Sequence, residues 1–227
     1  MPNYGDPAYW DNRYKNAGPN ASFDWLESYA TLKSLLGQFL TSKEMRILVL
    51  GCGNAEFSED LYDAGFTNVV NVDISSVVIR QMKERNSEQR PLMEFRVMDI
   101  TDMSEFESNS FDVAIDKSTI DALLCGDDSF LMVAMMLKET QRVLKVHGIY
   151  FAISYGKPES RSFHFVQPFL SLENREFVLY DADCDNEAEK EEKSHYIYVS
   201  KKLEDADLMS QQYYEACLEQ LRADAEA

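Results

Sequence analysis

Hydrophobic and polar residues follow two different rhythms along this chain. Short runs that are apolar, or that alternate with polar residues as β-strands do, predict strands at 46–50, 68–72, 94–98, 111–115, 149–154, 176–180 and 195–200. Apolar residues at helical spacing predict helices at 26–39, 54–64, 75–85, 129–145 and 203–224. The third of these helices has Ser75 as its expected N-cap. Strands and helices therefore alternate through most of the first 154 residues.

This alternation is typical of a parallel sheet with helices on both faces, the doubly wound α/β architecture of Rossmann-like folds. The last two strands are separated only by an acidic segment at 181–192, which predicts a C-terminal antiparallel hairpin. We therefore expect a single domain with a mostly parallel, seven-stranded sheet. The expected parts are an aromatic, irregular cover (residues 4–29) and a helix within 1–45, a central core at 46–154, and the hairpin and last helix at 155–227.

Composition narrows the class of protein. The 227 residues are 45% hydrophobic and 27% charged, which are ordinary values for a globular domain. The formal net charge of -18 argues against a nucleic-acid-binding protein and favours a basic protein partner. The longest apolar run, at 130–137, is too short to span a bilayer, so no membrane association is expected.

Cysteine and histidine spacing indicates neither disulfides nor a metal site. The cysteines are scattered, at Cys52, Cys125, Cys184 and Cys217, and suit free thiols in a reducing compartment. The histidines are equally dispersed, at His147, His164 and His195, and lack the spacing of zinc ligands. The N-terminus has no basic segment followed by an apolar one, so we expect a cytoplasmic protein.

The strand at 46–50 runs directly into a turn that contains Gly51 and Gly53. Glycines at the carboxyl end of the first strand let a ligand approach the backbone, in the crevice where doubly wound sheets bind nucleotides. The dinucleotide fingerprint GxGxxG would require a third glycine where this chain has Glu56. The sequence therefore favours a nucleotide-like ligand without a pyrophosphate.

Two aspartates follow the next two strands. Asp73 lies 22 residues after Gly51, where an acidic side chain can accept hydrogen bonds from ribose hydroxyls. Its alternative role is that of a helix-capping or turn aspartate. Asp99 follows the third strand, where a carboxylate could accept from an adenine amino group.

The GxG turn, the two aspartates and the segment FDVAID at 111–116 together resemble class I S-adenosylmethionine-dependent methyltransferases. The resemblance covers residues 46–154 and implies S-adenosylmethionine as the cofactor. One position departs from it, because that class often has an acidic residue where this chain has Val49.

A narrower resemblance rests on four segments in order: YWDNRY at 9–14, FDW at 23–25, LVLGCGN at 48–54 and DKSTIDAL at 116–123. They are similar to the methyltransferase-like family that contains the elongation factor 1-alpha lysine methyltransferases. That family commonly has glycine and leucine where this chain has Ser118 and Ile120, a difference that concerns the acceptor pocket.

The narrower resemblance implies a set of cofactor-binding residues from the cover and the strand ends: Trp10, Tyr14, Trp25, Gly51, Asp73, Ile74, Asp99, Ile100 and Lys117. In this set the aromatic side chains close over the cofactor, Asp73 and Ile74 lie beside its ribose, and Asp99 and Ile100 lie near its adenine. Lys117 completes the pocket. The alternative for the tryptophans is a purely structural aromatic cluster.

The same resemblance makes a protein lysine the expected methyl acceptor, with the acidic surface suited to a basic substrate. Transfer from a sulfonium requires an aligned, deprotonated amine and no covalent enzyme intermediate. Asp116 and Asp121 are candidates to orient that amine. Two alternatives remain, namely a methyltransferase of small molecules and a catalytically silent cofactor-binding partner protein.

Overall fold

Strands and helices of the predicted kinds appear in a computed structural model, which describes residue 4 and residues 6–180 and 193–226. The strands form one sheet: β1 Ile47–Leu50, β2 Val69–Asp73, β3 Glu94–Val97, β4 Phe111–Lys117, β5 Leu144–Ser154, β6 Leu172–Leu179 and β7 His195–Lys202. The α-helices are α1 Pro7–Ala17, α2 Tyr29–Leu36, α3 Phe57–Asp63, α4 Ser76–Asn86, α5 Thr119–Leu123, α6 Ser129–Val143, α7 Pro158–Arg161 and α8 Ala206–Glu226. A 3-10 helix spans Ser162–Val166.

The strands lie in the order β3-β2-β1-β4-β5-β7-β6. The first five in chain order pair in parallel, whereas β7 is antiparallel to both β5 and β6. The predicted mostly parallel sheet with a C-terminal antiparallel pair is therefore confirmed. Because β1 lies between β2 and β4, the carboxyl ends of these three strands meet at one edge, where the strand order reverses.

Apolar cores cover both faces of the sheet, which explains why β1 is continuously hydrophobic. Leu48 and Leu50 pack on the face covered by α6 and α8, and Ile47 and Val49 pack on the face covered by α2, α3 and α4. All four side chains are buried. The first strand is thus held firmly, and the turn that follows it starts from a fixed position.

The N-terminal cover is more regular than its composition indicated. The expectation of an irregular segment at 4–29 is wrong over Pro7–Ala17, which form α1. Asp6 is the N-cap, its carboxylate accepts a hydrogen bond from the Ala8 amide at 2.8 Å, and Pro7 occupies the first turn. The aromatic content concealed this helix because aromatic residues have low helix propensity.

Several element boundaries also differ from the expectation. Leu26 has a φ of 59° and lies outside the helix expected at 26–39. The strand expected at 149–154 begins at Leu144, which pairs with Phe111 across an irregularity in the register. The short helices α5 and α7 were not expected. The segment 181–192, with Cys184, lies outside the described residues.

In the chain ranges given above, no helix combines the length and the apolar character that crossing a membrane requires.

Candidate functional site

The turn after β1 requires glycine at two positions. Gly51 and Gly53 have φ values of 61° and 54°, in the left-handed region that favours glycine. A Cβ atom on Gly51 would overlap the Thr119 side chain, and one on Gly53 would lie 2.9 Å from the Tyr14 hydroxyl. Thr119, the first residue of α5, therefore lies against the backbone of this turn on one side, and Tyr14 of the cover lies against it on the other.

A cavity of about 490 Å³ opens beside this turn, at the carboxyl ends of the parallel strands. All of the cofactor-binding residues expected from the sequence line it, namely Trp10, Tyr14, Trp25, Gly51, Asp73, Ile74, Asp99, Ile100 and Lys117. Its volume is in the range of small-molecule sites. Residues that are as far apart in sequence as Trp10 and Lys117 thus share one cavity.

Asp73, the last residue of β2, is buried and holds the glycine turn. Its Oδ2 accepts a hydrogen bond from the Gly53 amide and its Oδ1 accepts one from the Ser75 amide, each at 2.9 Å. Burial raises the pKa of Asp73 to about 6, and the two backbone hydrogen bonds oppose this shift. Each carboxylate oxygen keeps a second lone pair for a ligand.

Asp99 and Ile100 form another part of the wall. Asp99 is exposed, and its Oδ1 accepts hydrogen bonds from the Thr101 amide at 2.9 Å and the Thr101 hydroxyl at 2.8 Å. No group in the described ranges donates to its Oδ2, so this oxygen is available to a ligand amino group. Ile100 is buried and supplies an apolar surface beside it.

The aromatic cover forms the roof of the cavity. Trp10 stacks on Tyr14 with ring centroids 5.8 Å apart, and its edge meets Trp25 at 6.4 Å. The Trp10 indole donates to the Tyr4 carbonyl at 2.6 Å. Burial, followed by the nearby charge of Asp73, raises the pKa of Tyr14, which therefore stays a neutral phenol. Tyr14 also belongs to the apolar core, so the cover serves the fold and the cavity together.

Lys117 attaches this cover to the sheet. Its ammonium donates to the Asp24 carboxylate at 2.9 Å and to the Trp25 carbonyl at 2.8 Å. Burial lowers the pKa of Lys117, and the hydrogen bond and charge of Asp24 oppose that shift. Among the lining residues of the described chain, Lys117 is the only lysine or arginine. The cavity therefore offers no spare cation for a phosphate group.

The two candidate amine-orienting aspartates have different positions. Asp116 is fully buried and does not line the cavity. It accepts hydrogen bonds from the Thr119 amide at 2.7 Å, the Ile120 amide at 3.1 Å and the Tyr150 hydroxyl at 2.8 Å. Burial raises its pKa to about 7 despite these bonds. Asp116 therefore caps α5 from a buried position outside the cavity lining, a position that does not favour contact with an incoming amine.

Asp121 lines the cavity, but the protein uses its acceptor capacity. Its Oδ1 accepts from the Ser154 hydroxyl and, at 2.9 Å, from the Arg161 guanidinium. Its Oδ2 accepts from the Ser118 hydroxyl and the Tyr155 amide, both at 3.1 Å. A carboxylate has about four lone-pair positions, so all of them are occupied. Asp121 organises the cavity wall rather than accepting a hydrogen bond from a substrate.

Sequence reasoning missed two features of this wall. Ser118 has a φ of 67°, which explains structurally why a glycine suits this position. The departure from glycine at position 118 was the available signal. Tyr155 also lines the cavity, directly after β5. Its signal was its position, because the carboxyl end of β5 shares the edge of the sheet where β1 and β4 end.

Curated relatives of this chain are named as methyltransferases of eEF1A lysine. A bovine "eEF1A lysine and N-terminal methyltransferase" is 45% identical over 156 residues, which are 68% of this chain and 22% of that protein. The mouse "EEF1A lysine methyltransferase 4" is 35% identical over 172 residues, covering 72% of this chain and 66% of that protein. The chain thus spans about a fifth of the bovine relative that it matches.

Solved structures agree at the level of the fold. A methyltransferase from Methanosarcina mazei superposes with a TM-score of 0.56 at 19% identity, covering 74% of this chain and 97% of that one. The N-methyltransferase NodS from Bradyrhizobium japonicum, in complex with S-adenosyl-L-homocysteine, superposes with a TM-score of 0.54 at 14% identity. The superposition covers 75% of this chain and 84% of that one.

A family model described as a methyltransferase domain matches residues 41–216, which is most of the chain. This match includes the glycine turn, the aspartates after β2 and β3, and the C-terminal antiparallel pair. The chain therefore belongs to the methyltransferase domain family.

Proposed function

We propose that this domain transfers a methyl group from S-adenosylmethionine to the side-chain amine of a protein lysine, with elongation factor 1-alpha as the first candidate substrate. The observation that carries the proposal is the convergence of the cover and the strand ends on one cavity. The names of the bovine and mouse relatives support the choice of acceptor. Fold similarity alone would not select an acceptor, because the same fold serves many reactions.

The cavity fits an adenosine cofactor that lacks phosphates. Asp73 offers carboxylate lone pairs for ribose hydroxyls, and the free oxygen of Asp99 suits an adenine amino group. Lys117, the one cation among the described residues that line the cavity, is neutralised by Asp24. Glu56 is the N-cap residue of α3, where its negative charge disfavours a pyrophosphate at that helix end.

The cofactor supplies a methyl group on a positively charged sulfur. The chain contributes alignment and exclusion of water, because Trp10 and Tyr14 roof the cavity beside the glycine turn. The incoming amine must lose its proton before it attacks. Asp121 has no acceptor position left, so we assign the uptake of the proton to solvent water at the entrance, and the drier surroundings of the cavity lower the amine pKa and favour this loss.

We further propose that the protein partner is basic and that the reaction occurs in the cytoplasm. The net charge of -18 complements a positively charged, lysine-bearing surface. Cys52, Cys125 and Cys217 are free thiols, as is usual in a reducing compartment.

A second candidate acceptor is the α-amine of a protein N-terminus. The observation that favours it is the bovine relative's name, which includes an N-terminal activity, although this chain spans only part of that protein. Both acceptors are primary amines, so the chemistry of the cavity is the same for either.

The test is to incubate the purified protein with S-adenosylmethionine labelled in its methyl group and a lysate of cells that lack the protein. We expect a labelled band at elongation factor 1-alpha, with the methyl group on a lysine by mass spectrometry. A methylated N-terminal amine would favour the second candidate. Label that enters only small molecules, or no label despite measured cofactor binding, would contradict the proposal and favour a small-molecule enzyme or a silent binding protein.

A further inference from the structure

Two large aromatic side chains that line the cavity are also open to solvent, Phe23 and Tyr155, and the Phe23 ring already has the Arg13 guanidinium 5.4 Å from its centroid. Tyr155, which directly follows β5, lines the cavity, yet 57% of its surface is exposed. An aromatic ring that is open to solvent at the rim of a binding cavity is accessible to a group that enters the cavity.

The backbone that carries this ring is fixed. The Tyr155 amide donates to Asp121 Oδ2 at 3.1 Å, and the next amide, that of Gly156, donates to the Ser154 hydroxyl at 2.9 Å. The Gly156 carbonyl accepts a hydrogen bond from the Tyr198 hydroxyl at 2.6 Å. The ring therefore stays at the rim because its peptide units are held from two sides. This arrangement reduces the entropy lost when a partner contacts the ring.

A second group holds the ring itself. His195, the first residue of β7, meets Tyr155 edge to face with centroids 5.2 Å apart. The Nδ1 atom of His195 lies 2.7 Å from Glu27 Oε1, which belongs to the segment that joins the cover to α2. Three separate parts of the chain thus converge on one side of the entrance, and Glu27 adds a carboxylate to it.

We propose that Tyr155 is a substrate-contact residue whose ring binds the alkylammonium group of the acceptor side chain as it enters the cavity. This inference rests on the proposed function. A cation is attracted to the face of an aromatic ring, whereas the charge of Asp121 is already paired with the Arg161 guanidinium at 2.9 Å. The ligand class is a primary or partly methylated alkylammonium group on a protein, and Asp121 and His195 are positioning residues for the ring.

The kinetic test compares Tyr155→Ala and Tyr155→Phe with Tyr213→Ala. Tyr213 is a matched control because it is an exposed tyrosine on α8, away from the cavity. We expect Tyr155→Ala to lower kcat/KM for elongation factor 1-alpha about tenfold, mainly through KM, and to leave cofactor affinity within about twofold. Tyr155→Phe should recover most of the loss because it keeps the ring. Wild-type kinetics in Tyr155→Ala would overturn the inference.

A binding measurement separates this inference from the proposed function. The probe is butylammonium chloride, titrated into the S-adenosylhomocysteine-saturated protein and followed by NMR. Saturable binding to the wild type and to Tyr213→Ala, and its loss in Tyr155→Ala, supports the inference even if no protein acceptor is methylated, in which case only the proposed function fails. Equal binding, or none, in the wild type and Tyr155→Ala overturns the inference whatever the activity.

Discussion

At the scale of single residues, Asp73 links the fold to the cavity. Its two oxygens hold the amides of Gly53 and Ser75, and its side chain lines the cavity that we assign to the cofactor. Burial raises its pKa to about 6, from an ordinary value of 3.8. The folded state therefore favours the protonated form, so this group's contribution to stability is full below pH 4 and declines as the pH rises through about 6.

Cofactor affinity should change with pH in the opposite sense. Ribose hydroxyls donate more strongly to a carboxylate than to a carboxylic acid, so we expect affinity to increase as the pH rises through about 6. Asp73→Asn keeps one oxygen acceptor and removes the charge. We expect it to bind S-adenosylmethionine about tenfold more weakly or worse, without this pH dependence.

Calorimetry from pH 5 to pH 7 would measure both effects in buffers of constant ionic strength, with about one pH unit on either side of the titration. Circular dichroism at each pH serves as the control for folding. A wild-type affinity that is flat across this range, or an unchanged affinity in Asp73→Asn, would contradict the assignment of Asp73 to the ribose.

At the scale of elements, the attachment of α1 and the cover decides whether the cavity has a roof. The hydrogen bonds that attach the cover include two groups that are far from each other in sequence. The Asp11 carboxylate accepts hydrogen bonds from the Ser75 hydroxyl and the Val77 amide at the start of α4. Lys117 at the end of β4 is bonded to Asp24 and Trp25. The roof is therefore tied to the same strand and helix ends that form the floor.

Removing Asp24 should lower the free energy of unfolding more than removing Lys117, its partner in the ion pair. The Lys117 side chain is 8% exposed and that of Asp24 is 28% exposed. Asp24→Ala leaves a buried ammonium without its counter-charge, and we expect a loss of about 2 kcal/mol in the free energy of unfolding. Lys117→Met leaves a carboxylate that water can reach and places an apolar side chain in the buried position. We therefore expect a smaller loss in the free energy of unfolding than for Asp24→Ala.

Urea denaturation of the two variants beside the wild type measures this difference. Lys83→Met, on α4 and away from the cavity, is a matched control for the loss of a lysine charge. A larger loss of stability in Lys117→Met than in Asp24→Ala would contradict the expected cost of an unpaired, buried ammonium.

At the scale of the whole molecule, charge is the dominant feature. The net charge of -18 attracts basic proteins at long range, and salt screens this attraction over a Debye length of about 10 Å at 0.1 M. We expect kcat/KM for the protein acceptor to fall about tenfold between 0.02 and 0.5 M salt. Cofactor affinity, which depends on short contacts inside the cavity, should change much less.

Steady-state methylation assays in a series of potassium chloride concentrations would measure the first quantity, and calorimetry at the same concentrations the second. A kcat/KM that is independent of salt would contradict electrostatic attraction of the acceptor. A parallel decline of cofactor affinity would indicate instead that salt perturbs the cavity.

Much of the architecture could be predicted because it depends on local periodicity. The apolar run of β1, the Ser75 cap of α4 and the glycines after β1 are properties of a few consecutive residues, and the structure shows each of them. The helix α1 was missed because a cap of Asp6 and Pro7 is a weak signal beside many aromatic residues. Leu26 could not be placed outside its helix, since an apolar residue at helical spacing does not report a positive φ.

The sequence by itself determined the succession of strands and helices, the glycine turn and the set of residues expected around a cofactor, because these follow from spacing along the chain and from family resemblance. Only the tertiary structure separated Asp116 from Asp121, since strand pairing and the turn at Ser118 bury one carboxyl group and place the other at the cavity. The same is true of Tyr155 and His195, whose rings meet although they are 40 positions apart in the chain. Such contacts depend on which strands become neighbours, and that order is decided by packing of the whole chain.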